Sequence, residues 1–234
     1  MLKVKDKLRR GETVTMAAVN WAAPALCEQL GGLGFDIAFI DCEKSAFTEE
    51  RVEEMCRGAR AGGLACVVRP WSADAGLISR YLDIGSDGVM VAAVDTAEAA
   101  AALVAAVRYA RWKDHDDKLV IAMIESPQAI DRLPSLLAVP GIDAWFVGPN
   151  DLAHRMGHPG QADHPAVQAA VQTALRSIAA AGQVAGALGD SPERLAAART
   201  AGARLVMCRT RDLLAAGARA FHAQRTAPNP QPAA

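Results

Sequence analysis

The chain has 234 residues, of which 51% are hydrophobic, and its formal net charge is −1 at pH 7. This length can bury one large core, and an α/β barrel of about 250 residues is well within range. A charge near zero gives no electrostatic support for binding nucleic acid or a membrane surface. Five cysteines without a CxxC pair predict reduced thiols, not a disulfide framework or a zinc site. With no signal peptide expected after Met1, the composition favours a cytoplasmic protein.

Apolar runs alternate with helix-like segments, after a short charged helix predicted at 3–10. The eight predicted strands are 14–19, 35–40, 65–68, 88–94, 119–124, 144–147, 184–188 and 205–208. The helices between and after them are predicted to start at Pro24, Thr48, Ser72, Thr96, Ser126, His164, Ser191 and Asp212. This alternation predicts a parallel (β/α)8 TIM barrel, a single domain at 1–225, and a disordered proline-rich tail at 226–234.

A triplet led by glycine recurs before every second predicted strand, at 34–36, 85–87, 141–143 and 202–204. Each glycine is predicted to end a helix, and a spacing of two βα units fits alternate layers of a closed barrel. Asp36, Asp87 and Asp143 in these triplets are expected to be turn residues at the rim where strands begin. An open doubly wound sheet is the alternative, but the segment 20–24 lacks the glycine-rich phosphate turn usual in that fold.

Polar residues follow the predicted ends of strands two, three, five and six. They are Asp41, Glu43, Lys44, Arg69, Glu125, Asn150 and Asp151. Because the carboxyl ends of barrel strands meet at one rim, these side chains are predicted to converge. Two carboxylates with room for water suit Mg²⁺ or Mn²⁺, and an arginine offers a planar fork for a carboxylate or an enolate oxygen. The pattern predicts a site for an anionic 2-oxo acid chelated to a divalent metal.

Several of these residues also have a purely structural interpretation. Asp151 could cap the turn at 152–156, and Arg69 could do no more than pair with Asp41 or Glu43. Glu125 is harder to explain in this way, because the Ser-Pro that follows it already supplies the helix cap. We therefore expect Glu125 to be functional.

The aromatic and histidine residues near the strand ends are less informative. Trp21 and Trp71 are candidates for pocket walls, with Trp21 a substrate contact, but trapped core aromatics fit equally well. The three histidines of the strand-six loop lack the spacing of metal ligands, and His164-Pro165 is instead predicted to start a helix. They are His154, His158 and His164.

Four segments, at 34–43, 67–70, 124–125 and 148–152, resemble the HpcH/HpaI aldolase family of metal-dependent pyruvate aldolases, which is related to the citrate lyase β subunit. The resemblance covers nearly the whole chain. It implies a (β/α)8 barrel assembled as a homotrimer or a dimer of trimers, with the final helix packed on a neighbouring subunit. It also implies a divalent cofactor, Mg²⁺ or Mn²⁺, with Co²⁺ as a further choice.

The resemblance assigns a role to several residues. It implies that Glu125 and Asp151 bind the metal, that Arg69 steadies the pyruvate enolate, and that main-chain amides near Asn150 and Asp151 hold the substrate carboxylate. The family places a histidine where this chain has Lys44, and that histidine works with the preceding aspartate, here Asp41, in proton transfer. Asp41, Lys44 and Arg69 are therefore the catalytic candidates.

The chain departs from the family pattern at several positions. A lysine near its reference pKa of about 10.4 is a poor general base at neutral pH. Ala92 stands where a proline is usual, the segment 111–115 replaces a Gly-x-Arg-Gly sequence, and Arg209 and Arg211 have no counterpart that we can assign.

Three hypotheses follow. The leading one is a metal-dependent carbon–carbon lyase (aldolase) for a 2-oxo or 4-hydroxy-2-oxo acid, acting through a metal-stabilised pyruvate enolate, with Lys44 as an anion contact or a base of depressed pKa. Oxaloacetate-type decarboxylation would tolerate Lys44 better, because no hydroxyl proton has to be removed. The second is a citrate-synthase-like condensing enzyme, and the third is a barrel that binds metal and keto acid without turnover. A Schiff-base aldolase using Lys44 is a minor fourth.

Overall fold

Eight parallel strands close into a barrel in which each strand pairs with its neighbour in the chain and β8 pairs with β1. This computed structural model describes residues 3–225, so the predicted disordered tail lies outside the described residues. The strands are β1 (Val14–Val19), β2 (Ile37–Asp41), β3 (Ala65–Arg69), β4 (Gly88–Val91), β5 (Leu119–Ile124), β6 (Ala144–Val147), β7 (Ala185–Leu188) and β8 (Ala203–Arg209). The predicted (β/α)8 fold is confirmed.

Helices surround the barrel. They are α1 (Lys3–Arg9), α2 (Pro24–Gly32), α3 (Glu49–Ala61), α4 (Ala75–Asp83), α5 (Ala97–Ala110), α6 (Pro127–Asp131), α7 (Leu133–Leu137), α8 (Pro149–Arg155), α9 (Pro165–Ala180), α10 (Pro192–Thr200) and α11 (Thr210–Arg225), with a 3-10 turn at His115–Asp117. One predicted cap is wrong: Asp74, not Ser72, accepts the Leu77 N–H at the start of α4, and Ser72 instead accepts the N–H of Asp74. The last helix begins at Thr210, two residues before the predicted start.

Residue alternation along the strands divides the core into an inner and an outer layer. In β5, Leu119, Ile121 and Met123 pack inside the barrel, whereas Val120 and Ala122 pack against the helices. Every strand residue is buried in this strand, which is typical of a parallel sheet covered on its outer face. Because side chains alternate with a period of two, the next inward position of each strand faces the carboxyl-terminal mouth of the barrel.

The rim where strands begin is built from the recurring triplets. The four leading glycines all have positive φ: Gly34 (85°), Gly85 (111°), Gly141 (98°) and Gly202 (91°). The aspartates that close three of the triplets accept main-chain N–H groups of the preceding strands: Asp36 from Thr15, Asp87 from Cys66 and Asp143 from Val120. The prediction of turn residues at the rim opposite the site is confirmed.

Two other observations concern the chain as a whole. All five cysteines are free thiols, as predicted. In the part of the chain that the structure describes, no helix combines the length and the apolar character needed to cross a membrane.

Candidate active site

A cavity of about 480 Å³ opens at the carboxyl-terminal mouth of the barrel. Nine of the residues singled out from the sequence line it: Trp21, Asp41, Lys44, Arg69, Glu125, Asn150, Asp151, Arg209 and Arg211. Trp71 is not among the lining residues and is 65% exposed, so both predictions for it, a pocket wall and a buried core aromatic, are wrong. The cavity falls within the usual size range of small-molecule sites, which is about 300–1,000 Å³.

Strand alternation explains why charged groups meet above an apolar floor. Phe39, Met123 and Phe146 point inward and form part of the cavity floor. Asp41 lies two residues after Phe39 on β2, and Glu125 lies two residues after Met123 of β5, so both side chains point in the same inward direction. Arg69, at the end of β3, points inward in the same way. The convergence predicted from the strand ends is therefore a direct result of the period-two pattern.

Glu125 is held in a closely fitted position and is only 3% exposed. Its Oε2 accepts the N–H of Ala93 at 3.1 Å, and Ala93 adopts a left-handed φ of 53°. That conformation is costly for an alanine and occurs mainly where surrounding structure enforces it. It also explains why β4 ends at Val91 and not at residue 94 as predicted. On the other side, a Cβ on Gly148 would lie 2.5 Å from Oε1, so only glycine leaves room for this carboxylate.

The environment of Glu125 disfavours its charged form. Burial raises the pKa of Glu125 to about 7, the neighbouring charge of Asp151 adds to that rise, and the hydrogen bond from Ala93 opposes it. Within residues 3–225, the Ala93 N–H is the hydrogen-bond partner of this side chain. A buried carboxylate facing a cavity, without a cationic side chain bonded to it, is typical of a functional site.

Asp151 lies in the first turn of α8, whose N-cap is Gly148. The interpretation of Asp151 as a helix cap is therefore wrong, because the helix has already begun at Pro149. Its side chain is 42% exposed and lines the cavity, and its Oδ2 lies 4.0 Å from Lys44 Nζ. Asp151 therefore faces the cavity without a capping role.

Arg69 is buried in a bidentate ion pair with Asp41. Its Nε and Nη2 contact the two Asp41 oxygens at 2.9 and 2.5 Å. The remaining Nη1 lies 3.8 Å from Met123 Sδ and 3.3 Å from Glu43 Oε2. This last contact is an ion pair by distance only, because Oε2 has no hydrogen-bond partner within residues 3–225. The guanidinium is thus fixed along one edge by Asp41, and Nη1, with only these two longer contacts, belongs to a side chain that lines the cavity.

Lys44 occupies the position that distinguishes this chain from the family pattern. Its Nζ lies 2.7 Å from Glu43 Oε1, and that hydrogen bond raises the pKa of the Lys44 ammonium, with Asp151 contributing in the same direction. The side chain is 57% exposed. These contacts favour the charged ammonium, and the exposed side chain lies outside the kind of apolar pocket that a Schiff-base lysine needs.

An ion-pair bridge behind the site was not found from the sequence. Asp95 accepts a hydrogen bond from Ser126 Oγ at 2.8 Å and another from Arg155 Nη1 at 2.8 Å. Ser126 adjoins Glu125, and Arg155 ends the helix that carries Asp151. Asp95 therefore connects the segments that present the two acids. Asp95 follows no periodic strand position, so no sequence pattern indicated its role.

Two of the three loop histidines make structural contacts, and His164 starts a helix as predicted. His158 and His164 stack with ring centroids 3.6 Å apart, and His164 Nδ1 accepts the N–H of Ala166 at the start of α9. Over residues 3–225, no group of three or more His, Cys, Asp or Glu side chains is arranged to hold a metal ion. A metal at the mouth would have to rely on fewer protein ligands.

Glu125 and Asp151 fit that requirement. Both are oxygen donors, both line one cavity, and Mg²⁺ commonly binds through one or two carboxylates while keeping water or substrate oxygens as its other ligands. The unpaired position of Glu125 is consistent with a cation as its missing partner.

The sequence and fold match known proteins over most of the chain. A sequence profile for HpcH/HpaI aldolase/citrate lyase matches residues 15–206. The chain belongs to this family. The 2-keto-3-deoxy-L-rhamnonate aldolase of Escherichia coli (strain K12) is 32% identical, with 81% of this chain and 79% of the relative covered.

Solved structures of similar fold include members of the same family. An HpcH/HpaI aldolase/citrate lyase family protein from Burkholderia cenocepacia J2315 has a TM-score of 0.87 at 26% identity, covering 97% of this chain and 100% of its own. Citrate synthase SbnG has a TM-score of 0.85 at 25% identity, covering 96% of this chain and 98% of its own. As a member of the HpcH/HpaI family, the protein is an enzyme of the aldolase and lyase class.

Proposed function

We propose that this HpcH/HpaI family member is a divalent-metal-dependent carbon–carbon lyase that cleaves a 4-hydroxy-2-oxo acid to pyruvate and an aldehyde. The proposal rests on one observation: Glu125, Asp151 and Arg69 all line the same cavity. Mg²⁺ and Mn²⁺ are the proposed metals, with Co²⁺ as a further choice, because the donors are oxygens.

The reaction needs charge stabilisation at one oxygen. In cleavage, the proton of the 4-hydroxyl passes to solvent in the cavity, C4 becomes the aldehyde carbon as the C3–C4 bond breaks, and the electron pair of that bond forms an enolate that then takes a proton from solvent at C3. When bound, a divalent cation polarises the 2-oxo group. Arg69 would donate a charge-assisted hydrogen bond from Nη1 to the enolate oxygen, and its bidentate contact with Asp41 supports this orientation before substrate arrives.

The other rim residues have supporting roles in this proposal. The carboxylate of Asp41 accepts hydrogen bonds from Arg69 and from the main-chain N–H groups of Glu43 and Lys44, the last two at 3.1 and 3.2 Å. Because its oxygens are already occupied, a positioning role for Asp41 is better supported than a role in proton transfer. The main-chain amides of Asn150 and Asp151 precede the first hydrogen bond within α8, from Leu152 N to Gly148 O, and are therefore available to a substrate carboxylate. Trp21, which is 47% exposed, would wall the cavity.

Decarboxylation of a β-keto acid such as oxaloacetate is a second candidate, and Lys44 is the observation that favours it. A protonated lysine at this position cannot take the proton of a substrate hydroxyl, and decarboxylation needs no such step. The same enolate and the same Arg69 contact would serve both reactions.

The experiment compares pyruvate release from a panel of 4-hydroxy-2-oxo acids and from oxaloacetate, with Mg²⁺ or Mn²⁺ and after EDTA. We expect turnover that EDTA abolishes and metal restores, and that Glu125→Gln lowers by at least about a hundredfold. Glu28→Gln, at an exposed glutamate of α2, is the matched control and should behave as wild type. EDTA-resistant turnover, or borohydride trapping of pyruvate on Lys44, would refute the proposal.

Assembly is a separate proposal. We infer a homotrimer or homohexamer, supported by the apolar side chains that α11 leaves exposed: Leu213 (45%), Leu214 (66%) and Phe221 (66%). Light scattering of wild type and of Leu214→Glu tests it, and a wild type that is monomeric at micromolar concentration would contradict it.

A further inference from the structure

A second cavity, of about 360 Å³, lies at the rim where the strands begin, at the end of the barrel opposite the acid pair. Val120 of β5 and Asp143 just before β6 line it, together with side chains of α1, α5 and the 3-10 turn. Within residues 3–225, this cavity and the mouth that contains Glu125 share no lining residue. A ligand bound here would therefore lie apart from the proposed chemistry.

Helix α1 closes this end of the barrel. Val4 and Leu8 are buried among the inward-facing side chains of the strands. Lys5 is also buried, and its Nζ donates to the carbonyl oxygen of Asp116 at 2.9 Å and lies 3.1 Å from Asp143 Oδ2. The charge of Lys5 is thus balanced by Asp143, and both contacts hold α1 against the rim.

The arginine that α5 adds to the cavity has no partner in the protein. Arg108 forms no hydrogen bond and no ion pair within residues 3–225, and its side chain is exposed. Its guanidinium lies beside the turn at Gly141, because a Cβ on that glycine would be 3.6 Å from Arg108 Nη2. Gly141 has a φ of 98°, a conformation that disfavours any larger residue. The turn therefore leaves the space next to the guanidinium open.

Two further side chains add binding capacity to the same cavity. Arg9 of α1 lines it, and the 3.5 Å between Arg9 Nη1 and Asp6 Oδ1 is longer than a usual hydrogen bond. His115 Nδ1 is buried and has no hydrogen-bond partner within residues 3–225, which is uncommon for a buried polar atom. The cavity thus contains hydrogen-bonding groups that the protein itself does not fully use.

We propose that this cavity binds a small oxyanion of the phosphate class, held between Arg108 on α5 and Arg9 on α1. The planar fork of an arginine matches the oxygens of a phosphate group. The lining acids are Asp143, which is paired with Lys5, and Asp116, whose side chain is 92% exposed, so Arg108 keeps its charge uncompensated. The bound anion would fasten α1 to α5 and so secure the helix that closes the barrel at this end.

Calorimetry with inorganic phosphate tests the site on the metal-free protein at constant ionic strength. We expect Arg108→Gln and Arg9→Gln each to weaken phosphate binding about 10- to 100-fold, the effect of losing a charge-assisted hydrogen bond. Arg176→Gln is the matched control, because Arg176 is an exposed arginine of α9 that lines neither cavity. It should bind phosphate as wild type does.

Hydrogen exchange locates the bound anion. Phosphate should slow the exchange of main-chain amides in α1 and α5 of wild type but not of Arg108→Gln. Comparing the two proteins cancels the general stabilisation that phosphate gives through its exclusion from protein surfaces. Equal phosphate affinity in wild type and Arg108→Gln, protection confined to the carboxyl-terminal mouth, or tighter binding of acetate than of phosphate would each overturn the site.

Discussion

Replacing Glu125 by glutamine should make the metal-free protein more stable while removing its function. Glutamine keeps an oxygen that can accept the Ala93 N–H, and it removes a carboxylate whose burial raises its pKa to about 7 from 4.5. In the pH range between these two values, the folded chain holds a proton at this site that the unfolded chain has lost. Stability contributed by the site is therefore complete below about pH 4.5 and is lost as pH rises toward about 7.

The size of the effect follows from the shift. Each pKa unit corresponds to about 1.4 kcal/mol, so a rise of the pKa from 4.5 to about 7 corresponds to at most about 3.5 kcal/mol. At about pH 8 in EDTA, the free energy of unfolding of Glu125→Gln should exceed that of wild type by up to this amount, and near about pH 4 the two proteins should be nearly equal. Added Mg²⁺ should stabilise wild type and not the variant.

Urea denaturation in EDTA across this pH range, at one protein concentration, measures these differences. Glu28→Gln removes an exposed carboxylate and should follow the wild-type pH profile. If Glu125→Gln has the same pH dependence as wild type, or is less stable at about pH 8, then burial does not raise the pKa of Glu125 as we infer.

Three further changes test the site. Gly148→Ala should place a methyl group 2.5 Å from Glu125 Oε1, and we expect a loss of about 1–3 kcal/mol in stability together with weakened Mn²⁺ binding by calorimetry. Lys44→His should introduce a group that titrates near neutral pH, and a large rise in aldol cleavage over decarboxylation in the pyruvate assay would identify the missing base. Asp95→Asn should leave Arg155 without its ion pair and lower Mn²⁺ affinity about tenfold, and an unchanged affinity would contradict the bridge.

The fold and the main acids could be predicted because each depends on a local pattern. Alternation of apolar runs and capped helices is sufficient for the barrel, and Glu125 stood out as an acid at the end of a fully apolar strand. The period-two rule then fixes the direction of Asp41 and Arg69 relative to the cavity.

The remaining features depend on contacts between distant segments. The left-handed Ala93 and the close approach of Gly148 to Glu125 arise only once β4, β5 and β6 lie side by side. The protonated state of Lys44 could be expected from its reference pKa. Its partner Glu43 could not be assigned, because Asp41 also lies close to Lys44 in the sequence. Trp71 was misplaced because a strand end specifies a rim, not the side to which an aromatic turns.

The two halves of the mouth are braced by separate sets of hydrogen bonds. Asp95 joins the segments that carry Glu125 and Asp151, whereas Asn20 anchors the start of α11 beneath Arg211. The acid pair and the start of α11 are therefore positioned independently of each other. A barrel divided in this way can change the side chains on its β8 side while keeping the geometry of its two acids.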